Sequence, residues 1–151
     1  MTSTPEVSVV APAHNEEGNV VALADEIAAA FADSESGAGT AFEFVLVDDG
    51  STDRTLDVAM EAARTRPWMR VISMRNTPTG SGNGQSAAFH AGFRACRGTW
   101  VASLDADLQN DPADLPRLLV ERDRTGADIE QRERSAARRE GEARIVLVAT
   151  V

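Results

Sequence analysis

Lysine is absent from this 151-residue chain, cysteine occurs once, and no stretch approaches the ~20 apolar residues that a membrane-spanning helix needs. Without lysine, arginine is the whole basic complement: 15 residues against 24 acidic ones, a formal net charge of -9. An acidic surface repels phosphate backbones, so nucleic acid is excluded as the main partner. It suits a protein that recruits a cation to meet an anionic ligand. The single Cys96 cannot close an internal disulfide, which fits a reducing cytoplasm. Its plainest role is that of a small apolar side chain on a helix. No Cys/His cluster points to zinc. Met1-Thr2-Ser3-Thr4-Pro5-Glu6 carries neither a positive cluster nor an apolar run, so it does not read as a signal peptide. The chain is expected to be soluble, or at most associated with a membrane surface.

What is present is a globular pattern. Apolar residues make up 42% of the chain, enough for one domain with a core and against disorder. Val7-Ser8-Val9-Val10-Ala11 reads as a buried strand closed by Pro12. Asn15 and the acids Glu16-Glu17 read as a helix start, continued at helical spacing by Val20, Leu23, Ile27 and Phe31. Phe42 to Val47 is a second strand and Thr52 to Ala63 a second helix. Arg70 to Met74 is a third strand. The Gly/Ser/Thr/Pro-rich run from Thr77 to Gly84 is a loop, and Gln85 to Arg97 a helix stopped by Gly98. Trp100 to Leu104 is a fourth strand, and a helix starts at Asp111-Pro112 and runs to about Thr125. Four alternations of strand and helix predict a mostly parallel sheet covered by helices.

Polar clusters follow the first, second and fourth strands, at the edge where open α/β sheets bind ligands. Asp105 and Asp107, one residue apart at a strand end, can face the same side, and Gln109 continues the alternation with a neutral oxygen. Such donors suit Mg²⁺ or Mn²⁺, completed by diphosphate oxygens and water. The bland alternative is a pair of helix-capping aspartates. Asp48-Asp49-Gly50-Ser51 divides in the same way between a base-binding carboxylate and a cap for the helix near Thr52. His14 is either a stacking surface for a base or a solvated loop residue.

Taken in order, the clusters resemble family 2 glycosyltransferases of the GT-A fold. The resemblance is carried by Val7 to Glu17, with Pro12-Ala13-His14-Asn15-Glu16 at its centre. It continues through Val45-Leu46-Val47-Asp48-Asp49-Gly50-Ser51-Thr52-Asp53 and Leu104-Asp105-Ala106-Asp107-Leu108-Gln109-Asn110-Asp111-Pro112. Gly84-Gln85-Ser86-Ala87-Ala88-Phe89-His90-Ala91-Gly92 and the form of the last cluster look most like the branch of dolichyl-phosphate mannose synthases and polyprenyl-phosphate glycosyltransferases. The resemblance implies an α/β fold: a GT-A, Rossmann-like, mostly parallel sheet with helices on both faces, incomplete at the C-terminus. Residues 1–128 would form the nucleotide-sugar-binding core, and 129–151 an atypical charged segment with a short apolar tail. It implies a nucleoside site lined by Pro12, His14 and Glu16, with Val47 and Asp49 at base and ribose. Asp105 and Ala106 would lie at ribose and diphosphate. Asp107, with Gln109 and Asp105, would hold Mg²⁺ or Mn²⁺, Asp107 being the catalytic residue. The implied reaction is inverting transfer of a hexose from a UDP- or GDP-sugar to a lipid (polyprenyl) phosphate, in the cytoplasm and, through that acceptor, peripherally at the inner face of the membrane. That acceptor is already an anion and needs no general base, and no convincing base is visible.

Three features depart from the family pattern. The loop from Thr77 to Gly82 is long. Glu130 and Arg132 stand where an apolar and a small residue are expected in a buried strand, and a charge in a central strand is costly. Arg134 falls at the position of the branch's phosphate-binding arginine. The stretch Arg132 to Arg144 reads as a solvated helix in preference to an anion-binding patch. Ile145 to Val151 reads as an edge strand, the start of a lost segment, or a product of truncation or a shifted reading frame. Two other functions remain in view: an inactive module that only binds nucleotide and metal, and a nucleotidyltransferase. The latter is expected to carry a glycine-rich loop with basic residues after the first strand, where this chain has Pro12-Ala13-His14-Asn15-Glu16.

Overall fold

The computed structural model describes residues 4–32, 39–75, 82–126, 129–133 and 144–149. Strands β1 (Val7–Ala13), β2 (Phe42–Asp48), β3 (Met69–Ser73) and β4 (Trp100–Ser103) alternate with helices α1 (Val20–Ala32), α2 (Thr55–Arg64), α3 (Gln85–Ala95) and α4 (Asp114–Thr125). Two further strands follow, β5 (Ile129–Glu133) and β6 (Arg144–Ala149). They form one six-stranded sheet in the order β3-β2-β1-β4-β6-β5. The first four strands in that order are mutually parallel, and β6 runs antiparallel to both of its neighbours. The expected mostly parallel sheet with helices on both faces is what is found.

Strand alternation decides which helix each residue meets. Val7, Val9, Ala11 and Ala13 of β1, with Phe44 and Leu46 of β2, pack with Leu23 and Ile27 of α1, Ala59 of α2 and Leu115 and Leu118 of α4. The opposite face carries Val10, Val45, Val47 and Val101, covered by Ala88 of α3. Alpha-3 approaches this face closely because Gly92 has no side chain. A Cβ there would lie 2.4 Å from Val10 Cγ1 and 3.1 Å from Val47 Cγ2.

Several boundaries differ from expectation, each for a tertiary reason. Helix α1 starts at Val20, not at Asn15, and has no acid in its first turn. Asn15 adopts a left-handed backbone (φ 57) and spends its side chain on the next loop. Helix α3 ends at Ala95, and Cys96 is already extended, so Gly98 is not its stop. Gly98 instead lies against β1, where a Cβ would meet Ser8 N at 2.6 Å. Helix α4 starts at Asp114 and ends at Gly126 in the left-handed conformation expected of a C-terminal glycine.

The carboxy-terminal readings need the largest correction. The apolar run is an interior strand, not an edge one: β6 lies between β4 and β5, pairing Val101 with Val148 and Ile129 with Val148. The charged segment becomes the edge strand β5, so Glu130 and Arg132 do not sit in a central strand. The apolar sequence takes the doubly paired position and the charged one the edge, where charge discourages further pairing. Arg132 and Glu133 belong to β5 and Arg144 to β6, which leaves no continuous helix from 132 to 144. Arg134 lies outside the described residues.

Candidate active site

The loops that follow β1 and β2 are latched to each other. Asn15 Oδ1 accepts from Thr52 N (2.8 Å), Thr52 Oγ1 (3.2 Å) and Asp53 N (3.3 Å). In return Asn15 N donates to Ser51 Oγ at 2.9 Å, and Glu16 N donates to Thr55 Oγ1 at 2.8 Å. Glu17 closes the exchange, its N–H on Asp53 Oδ2 and its Oε2 accepting from Arg54 N. These bonds satisfy the Thr52, Asp53 and Arg54 N–H groups that lead into α2, and Thr55 N donates to Asp53 Oδ1 at 2.8 Å. They also hold His14 beside β2, where its Nδ1–H donates to the Asp49 carbonyl at 2.8 Å. Since a carbonyl can only accept, this contact fixes the proton on Nδ1.

Asp49 caps a helix, but not α2. Its Oδ1 accepts from Asn83 N (2.7 Å) and its Oδ2 from Gly84 N (3.0 Å), clasping the start of α3. Gly84 has φ 93, a conformation that favours glycine, and a Cβ on Gly82 would lie 2.8 Å from Asp49 Oδ2. The neighbouring Asp48 is 3% exposed, and its Oδ1 is a buried acceptor with no partner among the described residues. An atom in that state costs on the order of 1–3 kcal/mol, and this one lies one residue from the pocket wall.

Asp105 and Asp107 do not cap α4 either; the turn before that helix uses Asp111, whose Oδ1 accepts from Ala113 N. Asp107 Oδ1 accepts from Gln109 N at 2.9 Å, closing a tight turn around Leu108, which has φ 59. Asp105 accepts from Gln85 Nε2 at 2.6 Å. Burial, then the charge of Asp107, push the Asp105 carboxyl above its ordinary value, and the Gln85 bond only partly offsets them. No arginine pairs with either carboxylate among the described residues.

Pro12, Ala13, His14, Glu16, Asp49, Gln85, Asp105, Ala106 and Asp107 line one cavity of about 360 Å³ at the C-terminal edge of the parallel strands. Of the residues expected at a nucleotide site, seven are therefore brought together. Val47 is not among the lining residues; it is fully buried in the core beneath α3. Gln109 is also outside the lining, one turn beyond Asp107. Gln85 and Ala13 line the cavity without having been assigned a role. Gln85 follows a glycine turn, the one local hint that its side chain starts a helix at the site.

The donor set fits a hard divalent cation. Of the four carboxylates that line the cavity, Asp105 and Asp107 stand two residues apart, and their repulsion is what a cation would relieve. Among the described residues no three His, Cys, Asp or Glu side chains are grouped so that they could hold a metal ion by themselves, so a metal here would depend on ligand oxygens and water to complete its shell.

A second cavity, about 400 Å³, opens at the opposite edge beside Phe42, Glu43, Trp68, Arg70 and Arg97. Its carboxylate is already supplied. Glu43 accepts from Ser8 Oγ (2.7 Å), Arg97 N (2.8 Å) and Arg70 Nη1 (3.0 Å). Cys96 lies nearby, and burial pushes its thiol up to about 11. Its Sγ–H donates to the Gly92 carbonyl, in keeping with a packing role.

The model of glycosyl transferase family 2 matches residues 8–143. The chain belongs to this family. Among curated relatives, an undecaprenyl-phosphate 4-deoxy-4-formamido-L-arabinose transferase from Pseudomonas aeruginosa is 44% identical over 126 residues, 82% of this chain and 34% of that protein. A dodecaprenyl-phosphate galacturonate synthase from Rhizobium johnstonii is 38% identical, again over 82% of this chain and 34% of the relative. The chain thus spans about a third of the length of these relatives. Among solved structures, a mannosyltransferase from Pyrobaculum calidifontis in complex with GDP-Man and Mn²⁺ superposes with a TM-score of 0.64 at 22% identity, over 85% of this chain and 35% of that one. Glucosyl-3-phosphoglycerate synthase from Mycobacterium tuberculosis, with Mn²⁺ and UDP, gives a TM-score of 0.59 at 27% identity over 84% of this chain and 42% of that one. The fold is that of GT-A glycosyltransferases.

Proposed function

We propose that this family 2 chain supplies the donor site of an inverting glycosyl transfer from a UDP- or GDP-sugar to the phosphate of a polyprenyl lipid. The observation that supports it most is the convergence of Pro12, His14, Glu16, Asp49, Asp105, Ala106 and Asp107 on one cavity at the sheet's C-terminal edge. Pro12, His14, Glu16 and Asp49 form its nucleoside wall, with Val47 supporting them from the core. Asp105 and Ala106 face ribose and diphosphate. Asp107, with Asp105 and the neighbouring Gln109, is the place for Mg²⁺ or Mn²⁺, which when bound neutralises the diphosphate and stabilises it as a leaving group. The relatives' names, undecaprenyl and dodecaprenyl phosphate, support the acceptor class.

In this reading an oxygen of the acceptor phosphate attacks C1 of the sugar. The bond from C1 to the diphosphate oxygen breaks, and the nucleoside diphosphate leaves with the electron pair. The acceptor is already ionised, so the protein's part is to orient and to stabilise charge. Such an acceptor sits in a bilayer, which implies work at a membrane surface; no helix among the described residues is long and apolar enough to cross one. A hexose is the expected sugar, while one relative is named for a derivative of arabinose, a pentose.

Turnover is tested with UDP- and GDP-hexoses and a UDP-pentose, undecaprenyl phosphate and Mn²⁺ or Mg²⁺. The expected result is transfer that falls roughly hundredfold in Asp107→Ala, the loss typical of removing one charge-stabilising group. Full activity in that variant removes the metal assignment. Calorimetry with UDP and GDP separates binding from transfer: binding without turnover reduces the chain to a nucleotide-binding domain, and binding of neither overturns the reading.

A further inference from the structure

We propose that Gln85 is a positioning residue for Asp105: its carboxamide occupies one carboxylate oxygen and leaves the other for the ligand. The inference rests on the donor-site reading above. Gln85 Nε2 lies 2.6 Å from Asp105 Oδ1, and Gln85 is exposed, so the contact is not a by-product of core packing. The side chain is delivered from a fixed point. Gln85 opens α3, whose start is clasped through Asn83 N and Gly84 N by both oxygens of Asp49. The same helix is seated against Val10 and Val47 at Gly92. Asp49 follows β2 and Asp105 follows β4, on either side of β1 in the sheet. Residues 83 to 85 at the start of α3 thus bridge the two polar strand ends, Asn83 and Gly84 bonding Asp49 and Gln85 bonding Asp105.

The chemistry explains why the donor is an amide. A neutral N–H satisfies one lone pair of Asp105 and fixes its rotamer without cancelling its charge. An arginine or lysine would hold the carboxylate as well but would compete with a cation for it. The bond also leaves Asp105 Oδ2 as the atom through which the carboxylate meets a metal or a ribose hydroxyl.

The test follows Mn²⁺ binding by electron paramagnetic resonance on the 151-residue chain with UDP or GDP, comparing wild type, Gln85→Met, Gln85→Ala and Asp105→Asn. Both Gln85 variants are expected to bind Mn²⁺ about tenfold more weakly, the usual effect of losing a group that orients a metal ligand. Their nucleotide affinity without metal, and their melting temperature, should match wild type. Unchanged Mn²⁺ affinity in both variants, with binding lost in Asp105→Asn, overturns the role of Gln85 alone. An equal loss of metal-free nucleotide affinity overturns it too, since Gln85 would then be a direct ligand contact. If wild-type protein binds no Mn²⁺ with either nucleotide, the donor-site reading falls together with it.

Discussion

Replacing Glu43 should destabilise the protein without touching its donor site. The carboxylate is 5% exposed and accepts three bonds, from Ser8 Oγ, Arg97 N and Arg70 Nη1. In Glu43→Ala the losses are unequal. Arg97 N keeps Ser8 Oγ at 3.2 Å, and Arg70 Nη1 keeps the Ala95 carbonyl at 2.8 Å, whereas Ser8 Oγ loses the acceptor it donates to. The cost should therefore lie at the low end of what breaking a buried ion pair entails, about 3 kcal/mol. At ~2–4 °C per kcal/mol for a chain of this size, that is a fall of roughly 6–12 °C in melting temperature. Glu43→Gln keeps one acceptor oxygen and should fall by about half as much. The pH dependence has a definite sign. Burial pushes the Glu43 carboxyl up, but the bonds from Ser8, Arg97 N–H and Arg70 together hold it below the ordinary 4.5. A lowered folded-state value means the stabilisation is complete above the ordinary value and is lost as pH falls through the lowered one. The gap between wild type and Glu43→Gln should accordingly be widest at pH 7 and close in acid. Thermal melts followed by circular dichroism at a series of pH values measure this. A Glu43→Gln protein that melts with wild type at pH 7 refutes the reasoning, as does one that stays folded but loses nucleotide binding.

Gly92→Ala should lower the melting temperature by roughly 2–8 °C, because a methyl 2.4 Å from Val10 Cγ1 overpacks a core that cannot yield, at about 1–2 kcal/mol net. It should also weaken Mn²⁺ binding, since lifting α3 carries Gln85 away from Asp105; a variant as stable as wild type would show that the helix has room. Asp107→Asn should lower the titration of Asp105 toward the ordinary 3.8, because the second cause holding it up, after burial, is the charge of Asp107. Carbon-13 NMR of the carboxyl groups follows this directly, and an Asp105 that titrates identically in both proteins would show that the two charges do not interact.

The first four strands were legible because each is a short β-branched or apolar run stopped by polar residues, and the candidate site was legible as a cavity because three of those stops fall on one sheet edge. What was not legible depended on partners distant in sequence. Asn15-Glu16-Glu17 carries the local signature of a helix start, yet the bonds are made 36 to 39 residues away, in the loop before α2 and at its first residue. Asp49 looks like a cap for the helix that follows it and instead caps α3, 34 residues on. The pairing of β5 with β6 reverses the expectation for both, since periodicity cannot distinguish an interior apolar strand from an exposed one. A charged strand is tolerated once the apolar one shields it from the middle of the sheet.

The two ends of the sheet treat negative charge in opposite ways, buried at Glu43 and half-buried at Asp105, and the contrast separates scaffold from candidate site. Glu43 has a donor on each oxygen, its carboxyl is lowered, and nothing about it invites a ligand. Asp105 has one neutral donor, a second carboxylate two residues away and a raised carboxyl. A fold optimised only for stability would give Asp105 an arginine, as it gives Arg70 to Glu43. Among the described residues none supplies Asp105 with positive charge, a lack that an external cation would relieve, and such uncompensated groups concentrate where proteins bind and react. This is why the acidic pair after β4, and not the better-bonded carboxylate at the other end, is the one proposed to meet a metal. Removing a compensated charge should destabilise the protein, whereas removing an uncompensated one should spare the fold and weaken the metal binding proposed for it.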